Sequence, residues 1–273
     1  MTEIFQYEFF RNAFIGIIII SVASALIGTY IFARRLVAIA GGITHACFGG
    51  LGLGYFLGIS PILTASVFAV ASSLGVDYLS ERQRVREDSA IAVMWALGMA
   101  IGVLFVFLTP GFVPELNSFL FGNILTITRT DLIAFASFTA ILLLVFGLWF
   151  NKIIAVAFDR DFARVCGLHT KAISAMMTVL VAICIVLTIK LVGVMLLMSM
   201  LSLPQMIAET HYHKVKQLMI ASAVVSVVCC VGGLMLASVV EVPCSALIVI
   251  IMVTLFLIIR AGHSLQRAIR RKA

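Results

Sequence analysis

Charge is what this sequence has least of: Asp, Glu, Lys and Arg make up 11% of its 273 residues, against about 25% in an ordinary soluble domain. Hydrophobic residues make up 63%, more apolar surface than a water-soluble fold can hide. Phosphate-binding and hydrolytic signatures are missing too. No GxxxxGK[ST] loop precedes any lysine, which excludes ATP hydrolysis by that route, and neither HExxH nor GxSxG occurs. The chain is therefore not expected to be an enzyme. Six cysteines contain no CxxC pair. Cys47, Cys184, Cys229, Cys230 and Cys244 lie in or beside apolar stretches, where a thiol behaves as a small hydrophobe. Neither a disulfide framework nor a cysteine metal site is indicated.

What remains is a succession of apolar stretches, each near the roughly 20 residues a helix needs to cross a hydrocarbon core about 30 Å thick. Eight stand out, at 13–33, 36–57, 61–79, 89–108, 132–150, 172–189, 218–240 and 244–259. Two further pieces, 117–127 and 191–203, are short and interrupted by polar or glycine positions, and read as re-entrant or half-spanning. The expected fold class is all-α: a polytopic transmembrane helical bundle of eight or nine membrane segments plus short re-entrant and coupling helices. No linker or repeat divides it, so residues 1–273 are expected to form one transmembrane domain. Glu3 and Glu8 against Arg11 do not make the basic start of a cleavable signal peptide, so the first span is expected to be retained.

The net charge of +7 comes from clusters between spans rather than from an extended basic face, which argues against nucleic acid as a partner. These clusters are Arg34–Arg35, Arg82 to Arg86, Lys152 to Lys171, Lys214–Lys216 and the tail from Arg260 to Lys272. Basic residues mark cytoplasmic loops, which places the C-terminus in the cytoplasm of a cell-membrane protein. The loops around Gly58, around Glu115 and at Glu241 then face outward. The topology closes only if 191–203 returns inward, and Lys190 does not fit the pattern.

The second span holds the one histidine that falls within these eight stretches. It reads Gly41-Gly-Ile-Thr-His45-Ala46-Cys-Phe-Gly49-Gly50-Leu-Gly52-Leu-Gly54-Tyr. An ionisable group inside a membrane is costly and marks a substrate path by default, so His45 is the candidate metal-contacting residue. The alternative is a packing histidine bonded to a neighbouring carbonyl. Gly41, Gly49 and Gly52 share its face, leaving room for an ion or for a facing helix. Gly42, Ala46, Gly50, Gly54 and Gly58 form the small-xxx-small stripe of close helix packing. An imidazole suits borderline first-row ions, but one histidine is too few ligands. Two copies about a two-fold axis would bring two to a shared pore.

Beyond 191–203 the chain passes through Pro204, Gln205, Met206, Ile207, Ala208, Glu209 and Thr210, expected to form a short cytoplasmic helix standing proud of the membrane. Such a helix could lie in a groove of a soluble partner; the alternative is an ordinary loop helix. His211 and His213, two apart, point away from each other on a helix, and the methionines from Met195 to Met219 read as packing.

With its Gly41-x-x-x-His45-Ala46 stretch, its Ser118 to Asp131 segment and its Lys190-to-Pro204 segment, the sequence resembles the zinc/manganese/iron-type ABC importer permease family, over nearly its whole length. The resemblance implies a homodimer that receives metal from an extracytoplasmic metal-binding protein and is driven by cytoplasmic ATP-binding subunits. A divalent metal is then the transported substrate, with no cofactor bound permanently. The resemblance makes Pro204 to Thr210 the coupling helix and places Glu115, Asn117, Ser118 and Asn123 at the outer mouth. The family motif has Asp where this chain has Gly41. Loss of that oxygen ligand should favour zinc over manganese or iron. Alternative readings are a metal-chelate or cobalamin-type ABC permease, or an ion-coupled secondary transporter, for which Asp77 is the only carboxylate approaching a span interior.

Overall fold

The computed structural model describes residues 6–110, 122 and 124–270, with backbone alone for 125 and 265–270. Ten α-helices are described: α1 (Glu8–Ala33), α2 (Val37–Leu57), α3 (Pro61–Glu81), α4 (Glu87–Leu108), α5 (Arg129–Phe158), α6 (Arg160–Val165), α7 (Thr170–Met200), α8 (Leu203–Glu209), α9 (Val215–Val240) and α10 (Cys244–Arg270). A 3-10 turn, Ile124–Thr126, precedes α5, and no strand occurs among the described residues. Among the described residues, eight stretches are long and apolar enough to cross a membrane, with α7 and α8 together forming one of them. Each coincides with one of the eight spans read from the sequence, and all but α2, which starts one residue later than its span, contain it whole.

The helices gather into two compact units. One comprises residues 1–29, 121–139 and 191–273, the other 30–120 and 140–190. Because both units draw on separated stretches, and α1, α5 and α7 each contribute to both, no linker in the sequence marks the division.

The second unit is built on the α2–α3–α4 triple. In lipid, helices gain nothing by burying apolar side chains against one another, so close van der Waals contact between backbones must hold them. Small residues allow it here. A methyl group on Gly49 would run into the Gly98 carbonyl, one on Gly52 into the backbone of Gly102, and one on Gly98 into the backbone of Ala46. Toward α3, Gly50 lies on the Thr64–Ala65 backbone and Gly54 on Pro61. At the ends of these helices, charge does the fastening. Arg34, after α1, donates to Glu87 in the first turn of α4 at 2.9 Å, where the helix dipole also favours the carboxylate. Burial opposes the Arg34 charge, but Tyr30 and Glu87 beside it outweigh that and hold the guanidinium above its ordinary range. Arg160 pairs with Glu81, Asp77 accepts the Thr178 hydroxyl at 2.6 Å, and the Asp159 side chain caps α6 through the Phe162 N–H at 2.9 Å.

In the first unit, Asn12 of α1 donates to the Ile127 carbonyl at 3.2 Å, and Gly16 sits against Leu191, Ile127 and Leu132. The short piece expected at 191–203 is set off from the first part of α7: the backbone leaves helical geometry at Gly193, with φ 78° and ψ 173°, so the residues from Val194 to Met200 form a separate helical stretch. That backbone region is open essentially to glycine alone. Gly122, at φ 65°, lies with its Cα on the Val192–Gly193 backbone, where any side chain would collide. Two glycines thus form one junction: one breaks the helix, and the other, having no side chain, lies directly on the break.

Gly193→Ala is expected to destabilise the fold by about 1–3 kcal/mol through backbone strain. Gly102→Ala should also destabilise, because the added methyl meets the Phe48 and Gly49 backbone. Gly232, in α9, has no atom within 4 Å of an added methyl, so Gly232→Ala should raise stability by up to about 1 kcal/mol through helix propensity. Thermal unfolding of the purified variants checks all three, and equal effects at positions 102 and 232 would refute the packing account.

Candidate functional site

His45 sits on α2, two turns past the helix start, where α2 crosses α4. Its imidazole lies flat on the indole of Trp95, ring centroids 4.4 Å apart and planes 1° apart, with Phe48 at 6.1 Å. Trp95, Gly98 and Gly102 fall at i, i+3 and i+7 on α4, so one face of that helix carries both the indole and the glycines that draw it onto α2. The stack fixes the plane of the imidazole. Its ring nitrogens direct their lone pair or N–H within that plane, so the indole covers a face without blocking coordination. The buried Nδ1 has no hydrogen-bond partner among the described residues. A packing histidine bonded to a neighbouring carbonyl through Nδ1, the alternative open from the sequence, is not what the structure contains.

The space expected beside the imidazole from Gly49 and Gly52 is taken up by α4, so those two glycines serve packing. Gly41 is buried in α2. No group of three or more His, Cys, Asp or Glu side chains able to hold a metal occurs among the described residues. Among the described residues His45 therefore belongs to no such group.

Pro204 to Glu209 do form a short helix, α8 (Leu203–Glu209), with Thr210 as its C-terminal cap and Pro204 in its first turn. One face of this helix packs on the chain itself. Pro204, Gln205, Ile207 and Ala208 are buried, because α8 packs on α9 and α10 and Gln205 lies against Gly28 of α1. Leu203 is partly open, and Met206, Glu209 and Thr210, at i, i+3 and i+4, form the edge that remains at least partly open. Gln205 is fully buried with neither amide atom hydrogen-bonded. His211 approaches His263 of α10, ring centroids 6.5 Å apart, rather than pairing with His213. Glu115, Asn117, Ser118 and Asn123 lie outside the described residues.

Sequence reasoning missed three features. The indole under His45 was signalled by the Trp95–Gly98–Gly102 spacing. The ion pair of Arg34 with Glu87 joins residues 53 apart and carries no local signal. A cavity of about 180 Å³ lined by Asp77, Glu81, Arg82, Arg160 and Lys171 draws on three helices and the residues flanking them. Its Asp77 and Glu81 are already engaged by Thr178 and Arg160.

Similarity to known proteins agrees with this architecture. The ABC 3 transport family is matched over residues 6–262. Among curated relatives, a probable metal transport system membrane protein of Chlamydia pneumoniae is 34% identical, over 85% of this chain and 81% of its own. A manganese transport system membrane protein of Halalkalibacterium halodurans is 26% identical, over 93% and 87%. Among solved structures, PsaBC from Streptococcus pneumoniae in complex with Fab superposes with a TM-score of 0.81 at 24% identity, covering 93% of this chain and 91% of that one, a likeness of fold. With the family matched from the start of α1 into α10 and no ATP-binding loop in the sequence, this chain belongs to the ABC 3 transport family as a multi-pass, non-catalytic membrane subunit.

Proposed function

We propose that this chain is the pore-forming permease of an ATP-driven importer that moves a divalent transition metal into the cytoplasm, zinc ahead of manganese or iron. The observation that carries the reading is the orientation of His45: an imidazole inside a span, held flat by Trp95, with a buried nitrogen that no described residue satisfies. An unmet polar group in a bilayer is expensive, and its retention is accounted for by a passing ion. The names of the relatives from C. pneumoniae and H. halodurans, with metal and manganese as cargo, support the substrate class. The order of metals rests on residue 41, where glycine offers no oxygen ligand beside His45.

One imidazole binds a metal weakly, so the working transporter pairs two copies of the chain and brings two His45 rings to a common path. An extracytoplasmic metal-binding protein delivers the ion, and ATP-binding subunits on the cytoplasmic side act on the open Met206–Glu209–Thr210 edge of α8. The C-terminal tail lies on that same side. No bond chemistry occurs in the chain. Its work is to bind the ion, strip its water and alternate between faces. An ion-coupled secondary mechanism is disfavoured because the one candidate carboxylate, Asp77, is tied to Thr178 at 2.6 Å.

In a reconstituted transporter, His45→Ala is expected to lower metal uptake by about tenfold or more while basal ATP hydrolysis persists. Trp95→Leu, which keeps the ligand but frees its plane, should lower uptake by a smaller factor, as loss of ligand-orienting groups does. Uptake unchanged in His45→Ala would remove His45 from the path. Gly41→Asp places a carboxylate one turn before His45 and should raise manganese-stimulated relative to zinc-stimulated ATP hydrolysis. Glu209→Lys should abolish metal stimulation of ATP hydrolysis without changing metal binding to the permease, measured by equilibrium dialysis.

A further inference from the structure

The largest cavity described above is not the only one, nor the largest in the second unit. Between the second half of α5 and the start of α7 lies a cavity of about 370 Å³, within the roughly 300–1,000 Å³ range of small-molecule sites. Its wall divides by chemistry. Trp149, Leu168, Ile173 and Met176 make an apolar side, and Lys152 and His169 contribute cationic or N–H donor groups. No Asp or Glu lines it, in contrast to the smaller cavity, whose bases face Asp77 and Glu81.

Depth in the bilayer follows from the helices. Trp149 is 20 residues after Arg129, the first residue of α5, so at 1.5 Å per residue it lies about 30 Å along, one hydrocarbon thickness. Indole rings concentrate at that boundary, and Trp149 is 43% exposed. Lys152, one turn beyond on the same face, stands at headgroup level. On α7, Ile173 and Met176 lie one and two turns in from Thr170, on the hydrocarbon side of His169. The α5 backbone leaves helical geometry at Trp149, with φ −122° and ψ 17°, so the helix bends at the level of the cavity.

A donor pair at headgroup level above an apolar wall at acyl level is complementary to one ligand class. We infer that this cavity binds an anionic phospholipid, its phosphate held by Lys152 and by an N–H of the His169 imidazole, which donates in its neutral form as well as its charged one. An acyl chain lies along Trp149, Ile173 and Met176. Basic pockets between transmembrane helices recognise acidic headgroups in this way. The site involves neither His45 nor α8, and it stands whether or not the metal reading holds.

The test is native mass spectrometry of the purified full-length chain, titrated with phosphatidylglycerol or with phosphatidylcholine of identical acyl chains. Wild type should retain phosphatidylglycerol about fivefold or more over phosphatidylcholine, the equivalent of one basic side chain at a membrane surface. The preference should vanish in Lys152→Gln/His169→Gln and persist in Lys152→Arg. Three results would overturn the assignment. These are equal retention of the two lipids by wild type, a preference that survives the double substitution, and displacement of bound phosphatidylglycerol by millimolar inorganic phosphate, which would mark a soluble-anion site. Loss of the bound lipid on assembly with the ATP-binding subunit would assign the cavity to that subunit and overturn the proposal equally.

Discussion

The approach of α2 to α4, backbone on backbone, is the constraint on which the second unit depends. Lipid tails are as apolar as leucine, so helices in a bilayer are held by surface fit rather than by exclusion of water. Gly49, Gly52, Gly98 and Gly102 leave their own positions at the crossing free of side chains, and there the helices meet backbone on backbone. Everything beside the crossing is then positioned by it. Trp95 lies one turn before Gly98 and His45 one turn before Gly49, so the contact that joins the helices also lays the indole on the imidazole. A looser crossing would leave the imidazole free to rotate about its side-chain bonds, and its nitrogens would lose a fixed direction.

A second constraint acts on irregular backbone. Within a membrane, non-helical main chain survives only where protein covers it. The break at Gly193 satisfies this through Gly122, whose lack of a side chain lets a second segment lie on the exposed peptide. Seven residues past the break, α7 ends at Met200, and α8 follows with four of its seven residues buried. One face of this helix is fixed against the rest of the unit, with Gln205 set on Gly28, and Met206, Glu209 and Thr210 are left at least partly open.

The fold was legible in the sequence to the extent that it follows from hydrophobic length. All eight spans were visible because crossing a bilayer demands about 20 apolar residues whatever the neighbours are. The bounds were short wherever a helix runs past the hydrocarbon. α5, for example, continues to Phe158 through Lys152, since polar residues end an apolar window without ending a helix. That α7 breaks at Gly193 was not legible, because a glycine and a change of composition look the same whether a helix bends, breaks or stops. In the site, His45 was legible as the lone imidazole in a span. The indole partner was legible only in principle, since pairing across helices depends on which glycine stripes meet. The burial of α8 was not, because it depends on a glycine some 177 positions away.

Ionisable and polar groups in and around the spans sort by how they are answered. Arg34 is met by Glu87, Asp77 by Thr178 and Arg160 by Glu81 through its outer nitrogen. Each of these pairs joins separate stretches of the chain and accounts for its own presence: each polar group is answered by a partner at hydrogen-bonding distance. Three buried nitrogens among the described residues are not answered, Nε of Arg160, Nε2 of Gln205 and Nδ1 of His45. The first belongs to a guanidinium already paired, and the second sits in a helix with one edge open. The third lies in the interior of a span, on a ring whose plane is fixed by Trp95. On the function proposed above, the cost of leaving that nitrogen unanswered is met by the ion that passes it.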